Sequence, residues 1–223
     1  MKRLIFLSLC YVFTGLGCAY VNHGDPKDVT TTSVKTFAVN ELKLISPEIT
    51  LANDPSASLR YDYKISQTSR VLLRLGALKG LSGEILDEQP ILLRIAPDPG
   101  APIETAKENL RLCPLSKNWM MYATWTRAHP YNEGLWKSSG GDFEAFECLQ
   151  PIAADSTLLT HEEEKAFCDP SSFLCFDIGK YTRSNVKARN INYGWILTSN
   201  KDALVIYGDL TTRGPEVFYR KFR

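Results

Sequence analysis

Residues 118–143 read NWMMYATWTRAHPYNEGLWKSSGGDF and hold three of the four tryptophans in the chain. The fourth, Trp195, lies in NYGWIL at 192–197. Each ring buries a large area and anchors its neighbours, so four of them spread over two β-prone segments predict two faces of one core. Working outward, Leu59, Tyr61, Tyr63 and Ile65 alternate strictly with Arg60, Asp62, Lys64 and Ser66, the pattern of a half-buried strand. Denser apolar runs at 71–75 and 91–95 carry one arginine each, Arg74 and Arg94. They read as central strands covered on both faces, with the arginines leaving the core at strand ends or pairing with acids. Further β-like runs fall at 34–39, 42–45, 110–112, 193–198, 203–207 and 217–222, divided by Gly, Pro, Asn and Asp turns. Helix signals are few. THEEEKAFC at 160–168 has the T-x-x-E spacing of a capping box, and 181–189 offers one more turn. Eight to ten short strands with almost no amphipathic helix predict an all-β sandwich with one or two short helices.

A chain of 223 residues, 44% hydrophobic, supports one well-buried core of that size. Its net charge of +1 falls to about −1 if Lys2 and Arg3 leave with a leader, and the charges are well mixed. Neither value carries the basic footprint of a nucleic-acid binder. Met1-Lys2-Arg3, the apolar run 4–13 and the small residues that follow form a secretory signal, too short to span a membrane. Leu16-Gly17-Cys18 matches a bacterial lipoprotein box, with Gly15 where Leu is usual. This predicts a signal peptide over 1–17, a lipidated Cys18, a polar tether over 18–32 and a folded domain over 33–223. Cleavage after Ala19, giving a secreted chain, is the alternative.

Removal of the leader leaves Cys113, Cys148, Cys168 and Cys175. An even number in an exported chain predicts two disulfides. Three connectivities are possible, and Cys168–Cys175, closing a short loop, with Cys113–Cys148 is preferred.

The order of motifs SRVLLRL, ENLRL, NWMMYATW, LWKSSGGDF, FDIGKY, NYGWIL and RGPEVFY resembles the DNRLRE domain family. The family is described as carbohydrate-binding and is similar to the repeat domains of archaeal disaggregatases. The likeness covers about 68–222. It implies a jelly-roll β-sandwich on an exported, cell-envelope protein. Two features depart from the family. The turn after the FDIG element lacks the usual tryptophan, and residues 148–175 form a cysteine-bearing insertion that bears on any family binding surface.

Trp119, Trp125 and Trp195 read as core, since they sit in strand-like runs. Trp136 ends the polar, turn-rich loop RAHPYNEG, and loops on a rigid scaffold are where binding residues concentrate. Arg127, His129, Tyr131 and Trp136 are therefore the candidate ligand-binding residues for a polysaccharide or envelope glycan. Asp142, in Gly140-Gly141-Asp142, is a candidate ligand of a structural calcium ion, set against a turn acid that hydrogen-bonds its own backbone. His161-Glu162 lacks the second histidine of a zinc protease, because Lys165 occupies that position, and Glu162 to Glu164 read as a solvated helix face. No G-x-S-x-G or phosphate-cradling glycine loop is present, and Asp142 and Glu144 are paired carboxylates only by proximity to the loop. The reading is a non-catalytic glycan-binding surface protein, tied to the membrane through its lipid. The alternatives are a structural or adhesive protein with a protein partner, and a polysaccharide hydrolase or lyase.

Overall fold

The computed structural model describes residues 32–39, 41–48, 62–75, 89–97, 103–131, 134–187, 194–201, 204–207 and 214–222. The expected signal peptide, Cys18 and nearly all of the tether lie outside them, and the residues from Thr32 to Arg223 form one compact unit. The first sheet runs β1 (Thr32–Ala38), β10 (Glu216–Phe222), β5 (Leu92–Ile95), β7 (Leu174–Asp177). The second runs β2 (Glu41–Ile45), β4 (Arg70–Arg74), β8 (Trp195–Ser199), β6 (Leu110–Pro114). A separate pair joins β3 (Asp62–Ile65) to β9 (Leu204–Tyr207). All of these pairings are antiparallel.

Alternation sends successive side chains to opposite faces of each sheet. Val71, Leu73, Trp195 and Leu197 of the second sheet meet Leu93, Phe176, Val217 and Tyr219 of the first in one core, which Tyr63 and Ile65 of β3 also enter. This is the sandwich that the strand patterns predict. The residues between them face outward and are buried too. Leu72, Cys113 and Ile196 lie under residues from 115–136, and Leu92, Cys175 and Phe218 lie under Phe167 and Cys168. Burial on both faces is why 71–75 and 91–95 read as continuous apolar runs.

Each covering segment is held by one disulfide, Cys113–Cys148 over the second sheet and Cys168–Cys175 over the first. Both expected pairings are thus formed, and two disulfides point to an oxidising compartment. Among the described residues no helix is long and apolar enough to cross a membrane. Arg74 pairs with Glu41 at 3.3 Å and Arg94 pairs with Glu216, as expected of arginines in apolar strands.

Three readings are corrected. The described residues form three α-helices: α1 (Ile103–Asn109), α2 (Glu162–Phe167) and α3 (Gly179–Lys187). In α1 only Ile103 and Ala106 turn toward the core, too short a pattern for helical periodicity to declare itself. The cap of α2 lies one residue later than the T-x-x-E spacing implies. His161 is the N-cap, and Glu164 Oε2 accepts from the backbone N–H groups of Thr160 and His161 at 3.0 and 3.1 Å. Glu164 is accordingly not on a solvated face. It is fully buried, and its Oε1 lies 3.1 Å from Nε of the buried Arg220 in β10, close enough to pair but not aligned for a hydrogen bond.

The third correction concerns the tryptophan-rich run. Among the described residues of 118–143 there is no strand, only an isolated bridge between Arg127 and Leu135. β-propensity largely measures how well a side chain packs on a half-buried pleated surface. This run satisfies the same preference by lying on a sheet that is already complete.

Candidate functional site

The chain leaves β6, crosses the outer face of the second sheet, and returns at Leu149, whose N–H donates to Leu112 at 2.8 Å and whose carbonyl accepts at 3.0 Å. Between these points it forms a cap. Its underside is apolar: Trp119, Ala123, Ala128 and Trp136 pack on Ile45, Leu72 and Ile196. Two arginines of β4 reach up into it. Arg74 lies 4.6 Å from the Trp119 ring centre and donates to the Trp119 carbonyl. Arg70 lies between Trp125 and Phe143, at 5.0 and 5.3 Å, and donates to the Gly140 carbonyl at 2.9 Å. Stacking an aromatic face on a cation adds attraction to the contact.

Inside the cap, backbone bonds replace a ladder. Met120 N donates to Ala128 O at 2.9 Å, Thr124 N to Arg127 O at 2.8 Å, and Trp136 N to Thr126 O at 3.1 Å. Gly134 is required by close approach, because a Cβ there would sit 1.9 Å from the His129 carbonyl oxygen. Gly140 is required by its φ of +90° and by the Trp125 ring, 2.7 Å from the position of any Cβ.

The four candidate binding residues separate. Trp136 is only 6% exposed and its Nε1 donates to the Thr124 carbonyl at 2.9 Å, so it offers no face for stacking and belongs to the underside. Arg127 is exposed and Tyr131 is 64% exposed. His129 is half-buried, its ring 5.7 Å from that of Tyr131 and its Nδ1 buried without a hydrogen-bond partner. The tryptophans read as core are so for Trp119 and Trp195, both fully buried, whereas Trp125 is half-buried.

A residue that the loop reading missed is Tyr122, 52% exposed in the turn closed by Ala123 N donating to Met120 O. The crest of the cap therefore presents Tyr122, Arg127 and Tyr131, with Met120, Met121 and Leu135 also exposed.

Asp142 is buried. Its Oδ1 accepts from Ser138 N at 3.1 Å, its carbonyl accepts from Ser116 N and Oγ at 2.9 and 3.0 Å, and its Oδ2 is buried without a partner. It is a turn acid tied to backbone. A hard cation wants six or more oxygens, several from carboxylates. Among the described residues no three His, Cys, Asp or Glu gather at one point. Among the described residues, the carboxyls whose pKa clearly departs from the ordinary range are Glu163 and Asp169, both moved down. For Glu163 the main cause is the hydrogen bond from its backbone N–H, with the Arg220 charge adding to it. For Asp169 it is the backbone N–H of Ser171, then the Ser171 and Ser172 hydroxyls.

The cap and the two covered sheets define a disulfide-held β-sandwich with an aromatic and basic crest. No protein-family model matches the chain, and no curated protein matches it.

Proposed function

We propose that this protein is a non-catalytic glycan-binding module of the cell envelope, tethered through a lipidated Cys18 and recognising a polysaccharide at the crest of its cap. The observation that carries the reading is the exposure of Tyr122, Tyr131 and Arg127 on a loop whose underside is locked to a sheet. Aromatic faces suit the C–H faces of sugar rings, and an arginine supplies donors to their hydroxyls. Holding both on a pinned loop reduces the ordering cost of binding.

The strand orders support a jelly roll of the DNRLRE type. From β4 to β8 the chain passes from one sheet to the other at every step, and the first strand pairs with the last inside one sheet. The test is binding of the purified protein to a panel of polysaccharides, with and without calcium, each mixture being checked for cleaved products. Binding without cleavage supports the module, and cleavage would replace it with a hydrolase or lyase. The exposed Met120, Met121 and Leu135 favour a second reading, a protein partner on the same crest, to which an absence of binding across the panel would point.

A further inference from the structure

Beside the cap, the outer face of the second sheet opens into a cleft of about 530 Å3. Its lining includes Arg70, Arg111, Thr198 and Phe143, together with Cys148 of the disulfide, and among the described residues contains no aspartate or glutamate. The register explains why these residues meet. Arg111 of β6 pairs directly with Thr198 of β8. On the other side of β8, Val71 pairs with Leu197, so Arg70 falls one step further along, opposite Thr198. All three alternate with inward-facing Leu110, Leu112, Val71 and Leu197, and so stand on the outer face. With neighbouring strands about 4.8 Å apart, the two arginine Cα atoms lie roughly 10 Å apart with the threonine between them.

Neither arginine has an acid partner among the described residues. Arg70 is held by the Gly140 carbonyl and by two rings, and its Nε is buried with no acceptor. Arg111 Nη1 donates to the carbonyls of Glu108 and Leu110, which fixes the guanidinium and leaves its other donors for a ligand. Two cations lining one cleft, each held by carbonyls or rings rather than by an acid, with a threonine on the strand between them, form an incomplete electrostatic arrangement. An oxyanion would complete it, because carboxylates, sulfates and phosphates accept arginine's planar fork in two parallel hydrogen bonds. Burial also pushes the Arg70 pKa down, and a bound anion would offset that cost.

The geometry points to the cleft between Arg70 and Arg111 as a binding site for an oxyanion group, with both guanidinium groups and the Thr198 hydroxyl as donors and Phe143 as a wall. This goes beyond the glycan reading of the crest and does not depend on it. The test is isothermal titration of the purified protein with sodium sulfate, sodium phosphate, sodium glucuronate and neutral glucose, in chloride of matched ionic strength. The expected result is saturable binding of at least one oxyanion and none of glucose. Arg111→Gln weakens that binding about tenfold or more, the loss typical of a charged hydrogen-bonding partner. Lys165→Gln, which removes a positive charge from α2, leaves it unchanged. Tightest binding of glucuronate assigns a sugar carboxylate, and tightest binding of sulfate or phosphate assigns an ester of those acids. Should Arg111→Gln fail to fold, Thr198→Val decides by removing only the hydroxyl between the arginines, with a severalfold loss expected. No saturable binding of any oxyanion, or equal affinity in the folded variants, overturns the site.

Discussion

At the scale of single residues, Trp136 shows how a surface-looking sequence becomes core. Its neighbours are polar and turn-forming, yet its ring lies under the cap and its indole N–H is satisfied by Thr124. Trp136→Ala should cost about 3 to 5 kcal/mol, the range for emptying a buried aromatic site, measured by urea unfolding. Trp136→Phe keeps most of the volume and loses the hydrogen bond, for about 1 kcal/mol. Tyr131→Ala should do the reverse: polysaccharide binding falls severalfold while stability moves by no more than about 0.5 kcal/mol. Wild-type affinity in that variant would remove Tyr131 from the crest site. Asp142 gives a third contrast. Its Oδ1 is already held by the Ser138 N–H, so calcium and a chelator should yield the same melting temperature, and a higher value in calcium would make Asp142 a metal ligand.

Glu164 shows why residue patterns alone mislead. The triplet Glu162-Glu163-Glu164 looks uniformly solvated, but only the third position faces inward, toward Arg220 some fifty residues later in the chain. No local signal declares such a partner. Glu164→Ala leaves the Arg220 guanidinium buried with only its exposed Glu163 contact, and should cost about 3 kcal/mol.

At the scale of elements, the cap is the main finding. Most strand positions were legible because alternation and turn residues are local signals, β7 at Leu174–Asp177 being the exception because its four residues are too few to alternate visibly; the arginines at 74 and 94 were legible because a cation in an apolar strand needs an acid. The path of 118–143 was not. A tryptophan that packs on a sheet from outside has the same neighbours in sequence as one that lies within it. The residues of the oxyanion cleft were hidden for a related reason, since Arg70 and Arg111 become neighbours only through the register of three strands. The Cys113–Cys148 bond closes a loop over a sequence separation of 35 and contributes about 4 kcal/mol by loop entropy. The Cys168–Cys175 loop spans only 7 and contributes about 2 kcal/mol. Replacing Cys113 and Cys148 with alanine should therefore expose 116–147 to limited proteolysis while strands of the first sheet stay protected. Uniform cleavage across the chain would show that the cap and the sandwich are one cooperative unit.

At the scale of the whole molecule, acid sensitivity follows from the downward shifts at Glu163 and Asp169. A carboxyl whose folded pKa lies below its unfolded value stabilises fully above the unfolded value and loses that contribution as pH falls through the folded one. The ordinary values are 4.5 and 3.8, so these groups contribute no pH dependence near neutrality and weaken the fold below about pH 4. Melting temperatures measured across that range should stay level and then drop. A decline beginning near neutrality would require a different titrating group.

The pairing of β1 with β10 has a temporal consequence. Among the described residues, the seven residues of β1 pair with β10 alone, Glu216 to Phe222, some 180 residues later in the sequence. At the usual pace of translation, β1 waits on the order of ten seconds or more for that partner to be made. For all that time the growing chain holds β1 without the strand that completes its sheet.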